Sequence, residues 1–237
     1  MARQPFSTGC LRRSVANSFD GRFVPSRKRS GMGIIMTKIK FCGLSRPCDI
    51  EAANELKPDF IGFVFAPESK RYVTPEKAKE LKRILAPGIR TVGVFVKETP
   101  ENIAALLLSG VIDMAQLHGN ESEEEIRRLQ TLTDKPVIRA FRVETAADMA
   151  AAECSIADDI LLDSGAGTGT VFDWKLAEHM RRPYFLAGGL SPENVGAAVR
   201  ALHPFAVDVS SGIETDGAKE KAKMAAFAAA VRKEEKR

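Results

Sequence analysis

Short apolar runs alternate with amphipathic stretches along the chain from Lys38 onward. Their spacing of roughly 20 to 30 residues is typical of consecutive strand–helix–strand units on a parallel sheet. The runs predicted as strands are Ile39 to Cys42, Phe60 to Val64, Thr91 to Val96, Met114 to Leu117, Val137 to Phe141, Asp159 to Leu162, Tyr184 to Ala187 and Ala206 to Val209. Eight parallel strands in about 200 residues fit a closed (β/α)8 barrel better than an open doubly wound sheet.

Helix starts are predicted where an oxygen-bearing side chain precedes Pro or Glu. They fall at Thr74, Thr99 and Ser191, each followed by Pro-Glu, and at Ser122, which three glutamates follow. An open nucleotide-binding sheet would require a GxGxxG turn after the first strand, and the segment that begins at Cys42 has no such turn. The predicted fold class is therefore α/β, a single TIM barrel over residues 36–237.

The first 35 residues show no periodicity and contain seven basic residues against one acid. We expect residues 1–35 to be a disordered basic leader, either a true leader, an organellar transit peptide or a start-site artefact. The chain's formal charge of +4 comes entirely from this leader, which contributes +6 and leaves −2 for the rest. A weakly acidic body without a basic stripe predicts no nucleic-acid partner. No apolar run is long enough to cross a membrane, and a cytoplasmic location is expected.

The four cysteines form no CxxC pair, and the three histidines are scattered along the chain. Neither a disulfide framework nor a zinc site is predicted, and no metal or organic cofactor is expected. In a (β/α)8 barrel, catalytic groups lie at the C-terminal ends of the strands, whatever the chemistry. The polar or small residues at those ends are Cys42, Arg71, Gln116, His118, Arg139, Asp163, Gly188, Gly189 and Asp208 to Gly212.

Two of these loops have the composition of a phosphate-binding site. Gly188 and Gly189 follow the seventh strand, and Ser210, Ser211 and Gly212 follow the eighth. Small residues let backbone N–H groups approach an anion, and loops seven and eight often bind phosphate in these barrels. Either loop alone would equally suit an ordinary turn, but their presence on adjacent strands favours phosphate.

Cys42 and Asp163 are predicted to lie across the barrel mouth from each other, at the ends of the first and sixth strands. A thiol that is made more acidic can act as a base, and a carboxyl group that is made less acidic can donate a proton. Taken alone, Cys42 is better explained as an inert buried cysteine, and Asp163 as a loop cap.

Six motifs in order resemble those of the phosphoribosylanthranilate isomerase family of tryptophan biosynthesis. The resemblance spans Met36 to about Arg232. The motifs are Lys40-Phe41-Cys42-Gly43-Leu44, Gly62-Phe63-Val64-Phe65 with Ser69-Lys70-Arg71-Tyr72, Gln116-Leu117-His118-Gly119, Leu161-Leu162-Asp163, Ala187-Gly188-Gly189-Leu190 and Val207-Asp208-Val209-Ser210-Ser211-Gly212. The loop from Ala166 to Val171 is shorter than is common in the family, which leaves its phosphate contacts open.

The resemblance implies a cofactor-free Amadori rearrangement of N-(5-phospho-β-D-ribosyl)anthranilate. Asp163 would protonate the ring oxygen, and Cys42 as thiolate would take the proton from C2 of the opened sugar. Arg71 would meet the anthranilate carboxylate, with the alternative that it is one more solvated loop cation. Gln116 and His118 are expected to form a hydrogen-bonded layer beneath the site, and Arg139 and Asp208 to support the acid and the phosphate.

Three alternatives remain open at the level of sequence. The related isomerase of histidine biosynthesis runs the same rearrangement but has an Asp where this chain has Cys42. Indole-glycerol-phosphate synthase would need a lysine acid at its strand ends. A non-catalytic phosphate-binding barrel would have no use for both a thiol and a carboxyl group. The expected partner is a small phosphorylated aminosugar, and the protein is expected to be a monomer or a homodimer.

Overall fold

The computed structural model describes residues 36–163, 174–177 and 180–234. The expected leader at 1–35 and the loop from Ala166 to Val171 lie outside the described residues. Within the described part of the chain, eight parallel strands close into a barrel in sequence order, because β1 pairs with both β2 and β8. The strands are β1 (Lys38–Cys42), β2 (Phe60–Val64), β3 (Arg90–Phe95), β4 (Met114–Leu117), β5 (Val137–Arg142), β6 (Asp159–Asp163), β7 (Tyr184–Ala187) and β8 (Ala206–Val209). The barrel is confirmed, with each predicted strand end within one residue.

Helices follow the strands in alternation. They are α1 (Pro47–Leu56), α2 (Pro75–Arg83), α3 (Pro100–Leu108), α4 (Glu123–Leu132), α5 (Ala146–Cys154), α6 (Trp174–Ala177), α7 (Val195–Leu202) and α8 (Lys221–Glu234). Three of the predicted starts are confirmed, since Thr74, Thr99 and Ser122 each accept a hydrogen bond from a backbone N–H of the first turn. None of the described helices is long and apolar enough to span a membrane.

The helix start predicted at Ser191 is wrong. Residues 191–194 form a turn, and α7 begins at Val195. The reason is the side chain of Asn194, whose Oδ1 accepts from the backbone N–H of Ser191 at 2.8 Å while its Nδ2 donates to the carbonyl of Gly189 at 2.8 Å. Asn194 thus closes the loop from Gly189 to Ser191 ahead of α7, while Ser191 Oγ accepts from the backbone N–H of Glu193 at 3.3 Å.

Two apolar regions hold the barrel together. The larger one lies between the strands and the surrounding helices and includes Phe41, Phe63 and Phe227. The smaller one fills the lower lumen with the side chains of Phe60, Val92, Met114, Ile138, Leu161, Phe185 and Ala206. The lumen is therefore a packed core rather than a pore, and the side chains of Lys40, Gln116 and Asp208 lie above it.

After β8 the chain forms a 3-10 helix (Ser211–Ile213) and a small hairpin of β9 (Glu214–Thr215) and β10 (Ala218–Lys219). Asp216 and Gly217 link the two strands with φ values of 51° and 77°. Positive φ at both central residues is the requirement of the tight hairpin turn for which Asp-Gly is a preferred sequence. The hairpin brings Lys219 back over the barrel mouth.

Candidate active site

Strand periodicity decides which side chains face the lumen. β1 and β4 are not neighbours in the barrel, so the hydrogen bond from Lys40 Nζ to Gln116 Oε1, 2.9 Å long, crosses the lumen. Lys40 and Cys42 are two residues apart on β1 and therefore face the same side. By the same period of two, Gln116 and His118 both project inward from β4.

Lys40 is completely buried at the centre of this upper layer. Its ammonium group also donates to Asp208 Oδ2 at 2.9 Å. Burial works against the charge, but Asp208 and Cys42 more than offset it and hold the pKa of Lys40 above its ordinary value. A buried lysine that remains charged must have paired acceptors, and β8 and β4 supply them.

The Cys42 thiol lies directly above Gly62 of β2. A Cβ added to Gly62 would stand 2.8 Å from the Cys42 sulfur, so only glycine leaves room for it. Val64, Ala66 and Val94 pack around the thiol on this side. Burial raises the pKa of Cys42, and the positive charges of Lys40 and Lys219 act in the opposite direction.

Asp163 ends β6 on the opposite side of the mouth, with 17% of its side chain exposed. His118 Nε2 lies 3.3 Å from Asp163 Oδ2, and His118 Nδ1 lies 2.8 Å from Gln116 Nε2. A continuous chain of polar contacts therefore runs from Lys40 through Gln116 and His118 to Asp163. The hydrogen-bonded layer expected of Gln116 and His118 is present, and it connects the side of the thiol with the side of the acid.

Arg71 lies at the rim between β1 and the loop after β8. Its guanidinium group forms a bidentate pair with Glu214, with Nε–Oε1 and Nη2–Oε2 distances of 2.6 and 2.7 Å. A Cβ on Gly43 would meet Arg71 Cδ at 2.4 Å, so the arginine stem lies across that glycine. Burial alone would raise the pKa of Glu214, but hydrogen bonds from Arg71 and Lys219 hold it below its ordinary value.

Lys219 of β10 completes this ionic group. Its Nζ donates to Glu214 Oε1 at 2.6 Å, to the Ser210 carbonyl at 2.9 Å and to Ser210 Oγ at 3.2 Å. Ser210 Oγ in turn donates to the Cys42 carbonyl at 3.1 Å. The Ser210 side chain therefore anchors the loop to β1, so that any anion in this loop would be bound by backbone groups near Ser211 and Gly212.

The two loops with phosphate-binding composition are in contact. A Cβ on Gly212 would lie 1.9 Å from the carbonyl oxygen of Leu190, so the loop after β8 rests directly on the loop after β7. Gly188 and Gly189 adopt φ values of 89° and 61°, a left-handed conformation that favours glycine. Glycine at both positions therefore lets the chain turn tightly as it leaves β7.

Arg139 does not reach the site. It stands next to Ala140 on β5 with the opposite orientation, and it pairs with Glu123 at the start of α4 while stacking on Phe141 at 4.7 Å. Its alternation with the lumen-facing Ile138 and Ala140 places it in the outer layer. The expectation that Arg139 supports the acid or the phosphate is not met, whereas Asp208 does enter the lumen.

Three further side chains of the candidate site were not predicted from the sequence: Lys40, Glu214 and Lys219. Lys40 was readable from the period of two, since it precedes Cys42 by two residues on a strand. Glu214 and Lys219 depend on the hairpin, whose signal in the sequence was Asp216-Gly217. Within the described residues, no group of three or more His, Cys, Asp or Glu side chains is arranged to hold a metal ion.

A family comparison decides the relationship. Residues 39–230 match the model of the family described as N-(5'phosphoribosyl)anthranilate (PRA) isomerase. The chain belongs to the N-(5'-phosphoribosyl)anthranilate isomerase family. Relatives carrying this name include one from Lacticaseibacillus casei (strain BL23), 45% identical over 81% of this chain and 93% of its own, and one from Endomicrobium trichonymphae, 43% identical over 78% and 93%.

Solved structures of the family share the fold. The phosphoribosyl anthranilate isomerase of Thermotoga maritima is 37% identical, with a TM-score of 0.77 over 84% of this chain and all of that one. A phosphoribosyl anthranilate isomerase in complex with reduced 1-(o-carboxyphenylamino)-1-deoxyribulose 5-phosphate has 37% identity and a TM-score of 0.75 over the same shares. The family resemblance of the six motifs is therefore confirmed.

Proposed function

We propose that this chain isomerises N-(5-phospho-β-D-ribosyl)anthranilate to 1-(2-carboxyphenylamino)-1-deoxy-D-ribulose 5-phosphate, with Cys42 as general base and Asp163 as general acid. Family membership supports the reaction. The observation that supports the two residues is the polar chain that links both ends of the proton transfer across one barrel mouth. General acid–base chemistry needs two such groups on opposite sides of the substrate.

In the first step, Asp163 protonates the ring oxygen of the ribose and the ring opens to an iminium ion. Asp163 belongs to the more accessible side of the mouth, where it can exchange its proton with solvent between turnovers. The neighbouring His118 keeps the carboxyl group turned toward the lumen. Orientation of this kind lowers the barrier because the proton is already aimed at the atom that receives it.

In the second step, the Cys42 thiolate removes the proton from C2 of the open sugar, and the resulting enolamine tautomerises to the ketone. A thiolate in an apolar pocket is a stronger base than one in water, but it is harder to form. The positive charges of Lys40 and Lys219 offset part of that cost.

The remaining groups hold the substrate. Arg71 carries the positive charge proposed to meet the anthranilate carboxylate, and its bidentate bond with Glu214 keeps the guanidinium plane fixed. Backbone N–H groups of Gly188, Gly189, Ser211 and Gly212 are proposed to bind the phosphate, since the two loops touch and their residues are small.

An assay of the purified protein with phosphoribosylanthranilate in EDTA tests the proposal directly. We expect turnover without added metal, and loss of about 100-fold or more in kcat for Cys42→Ser and for Asp163→Asn, the usual contribution of a general base or acid. Cys48→Ser, at an exposed cysteine on α1, is the matched control and should leave kcat unchanged. Turnover that survives both active-site substitutions would contradict the assignment of these residues.

Assays of the same purified protein distinguish the proposed function from its alternatives. Turnover only of the histidine-pathway aminoaldose would favour the related isomerase, and binding of inorganic phosphate without any turnover would favour a non-catalytic barrel. A cytoplasmic location and a monomeric or homodimeric state belong to the same proposal. The Thermotoga maritima enzyme is described as dimeric in one solved structure, and light scattering of this chain at several concentrations measures its own state.

A further inference from the structure

The ammonium group of Lys40 is hydrogen-bonded to acceptors on two other strands. An ammonium group has three donors and no acceptor. Two of them meet Gln116 Oε1 and Asp208 Oδ2, both at 2.9 Å, and the thiol of Cys42, two residues along β1, faces the same side of the strand. The two acceptors come from β4 and β8, and the neighbouring thiol from β1. Complete burial of Lys40 keeps water from competing for any of them.

This arrangement determines the direction of every hydrogen bond up to Asp163. Because an ammonium group can only donate, the amide atom of Gln116 that faces Lys40 must be oxygen, and the amide nitrogen then faces His118. That nitrogen donates, so His118 Nδ1 must present its lone pair. A neutral imidazole then carries its hydrogen on Nε2, which is the atom 3.3 Å from Asp163 Oδ2.

The charges around Cys42 leave room for one more negative charge. Four charged groups act on the thiol directly, and a fifth forms ion pairs with two of them. Together they are three cations and two carboxylates. Lys40 lies on the same strand, Asp208 on β8, Lys219 on β10, Arg71 in the loop after β2, and Glu214 between the last two. With all five ionised, this group carries one net positive charge, which a thiolate at Cys42 neutralises.

We infer that Lys40 is a positioning residue for both halves of the proton transfer. It stabilises the Cys42 thiolate directly, and it orients the Asp163 carboxyl group through Gln116 and His118. The inference deepens the proposed function, on which it rests for the roles of Cys42 and Asp163. The arrangement of donors and acceptors can nevertheless be measured on the resting protein.

The first experiment follows the ionisation of the thiol. Thiolate absorbance near 240 nm is titrated in the full chain with Cys10, Cys48 and Cys154 replaced by serine. We expect Lys40→Met to move the Cys42 titration upward by about one pH unit or more, the usual effect of losing an adjacent opposite charge. Lys82→Met is the matched control, because Lys82 also bonds an aspartate, Asp113 at 2.7 Å, outside the lumen.

Asp208→Asn provides the opposite arm of the same experiment. It removes a negative charge from the group, so we expect the Cys42 titration to move to lower pH. If Lys40→Met does not fold, Asp208→Asn alone tests whether these charges set the pH at which Cys42 titrates. A titration that stays in place in the folded variants would overturn the first half of the inference.

The second experiment reads the tautomer of His118. Nitrogen-15 NMR of the imidazoles, with His118→Asn to assign the signal among the three histidines of the chain, should show hydrogen on Nε2. Gln116→Met and Lys40→Met should each abolish this fixed tautomer, whereas Lys82→Met should preserve it. Hydrogen on Nδ1 in the wild-type protein, or the same tautomer in all variants, would overturn the second half.

Neither measurement needs turnover. A protein that shows both effects but does not isomerise phosphoribosylanthranilate supports the inference and contradicts the proposed function. A protein that isomerises the substrate while showing neither effect supports the function and contradicts the inference. The two failures are therefore distinguishable.

Discussion

The two sides of the barrel mouth are built from opposite kinds of residue. On β2 and β3 and in the loop after β2, Gly62, Val64, Ala66 and Val94 form an apolar wall against Cys42. On β4, β6 and β8, Gln116, His118, Asp163 and Asp208 form a polar wall. Lys40 joins the two, since it bonds to Gln116 and Asp208 of the polar wall and shares the lumen face of β1 with Cys42.

The difference shows how one barrel can keep a base and an acid apart. The apolar wall excludes water from the thiol. A thiolate there is more reactive, but forming it takes more free energy than in water. The polar wall supplies fixed donors and acceptors, which orient a carboxyl group without removing it from solvent. Each wall suits one of the two groups and would disable the other.

The largest effect is expected from breaking the charge balance of the polar wall. Asp208→Asn leaves Lys40 buried without its counter-ion, and such a loss typically costs about 3–5 kcal/mol in the free energy of unfolding. Urea unfolding measures it. Asp113→Asn makes the same change in the partly exposed pair with Lys82 and should cost less. Equal losses of unfolding free energy in both variants would mean that burial does not increase the contribution of the Lys40–Asp208 pair to stability.

The next effect comes from filling the gap in the apolar wall. Gly62→Ala places a methyl group 2.8 Å from the Cys42 sulfur and should displace the thiol, with a loss of about 10-fold to 100-fold in kcat. Gly93→Ala is the control on the outer side of β3, where the methyl group would meet Ile112 and Phe95 instead. Both should lose about 1–3 kcal/mol of stability, and only Gly62→Ala should lose turnover beyond that.

A smaller effect is expected where the rim recognises charge. Arg71→Met should raise KM by about 10-fold or more, because a charge-assisted hydrogen bond contributes about 1.5–3 kcal/mol to binding. The change in kcat should be smaller, since Arg71 is proposed to bind a part of the substrate that does not react. Steady-state kinetics separate the two constants. A fall in kcat with KM unchanged would place Arg71 in the chemistry instead.

The smallest effect concerns pH. Burial raises the pKa of Cys42, so kcat/KM should rise with pH until the thiol is ionised. The folded protein keeps this proton to a higher pH than the unfolded chain, so the contribution of Cys42 to stability is present at low pH and declines as pH rises through the raised pKa. Val94→Ala admits water to the apolar wall and should move the rise in kcat/KM to lower pH by less than about one unit.

The barrel followed from the sequence because its strands are short apolar runs with a regular spacing. Lumen residues such as Cys42 and Asp163 followed from the rule that active groups lie at strand ends. Arg139 was misplaced because a charged residue at a strand end was given weight without its alternation, which puts it beside Glu123. No role was predicted for Lys40 because lysine is usually exposed. Here it is buried and paired with Gln116 and Asp208, which lie far from it in the sequence.

The close approach of Gly212 to Leu190 has a consequence for how such barrels diversify. With the carbonyl of Leu190 at 1.9 Å from any added Cβ, the segments after β7 and β8 fit each other as a matched pair. A graft that exchanges one segment for that of a relative succeeds only if the donor has glycine at the same point. Substrate range in this scaffold is therefore expected to change by replacing both segments together.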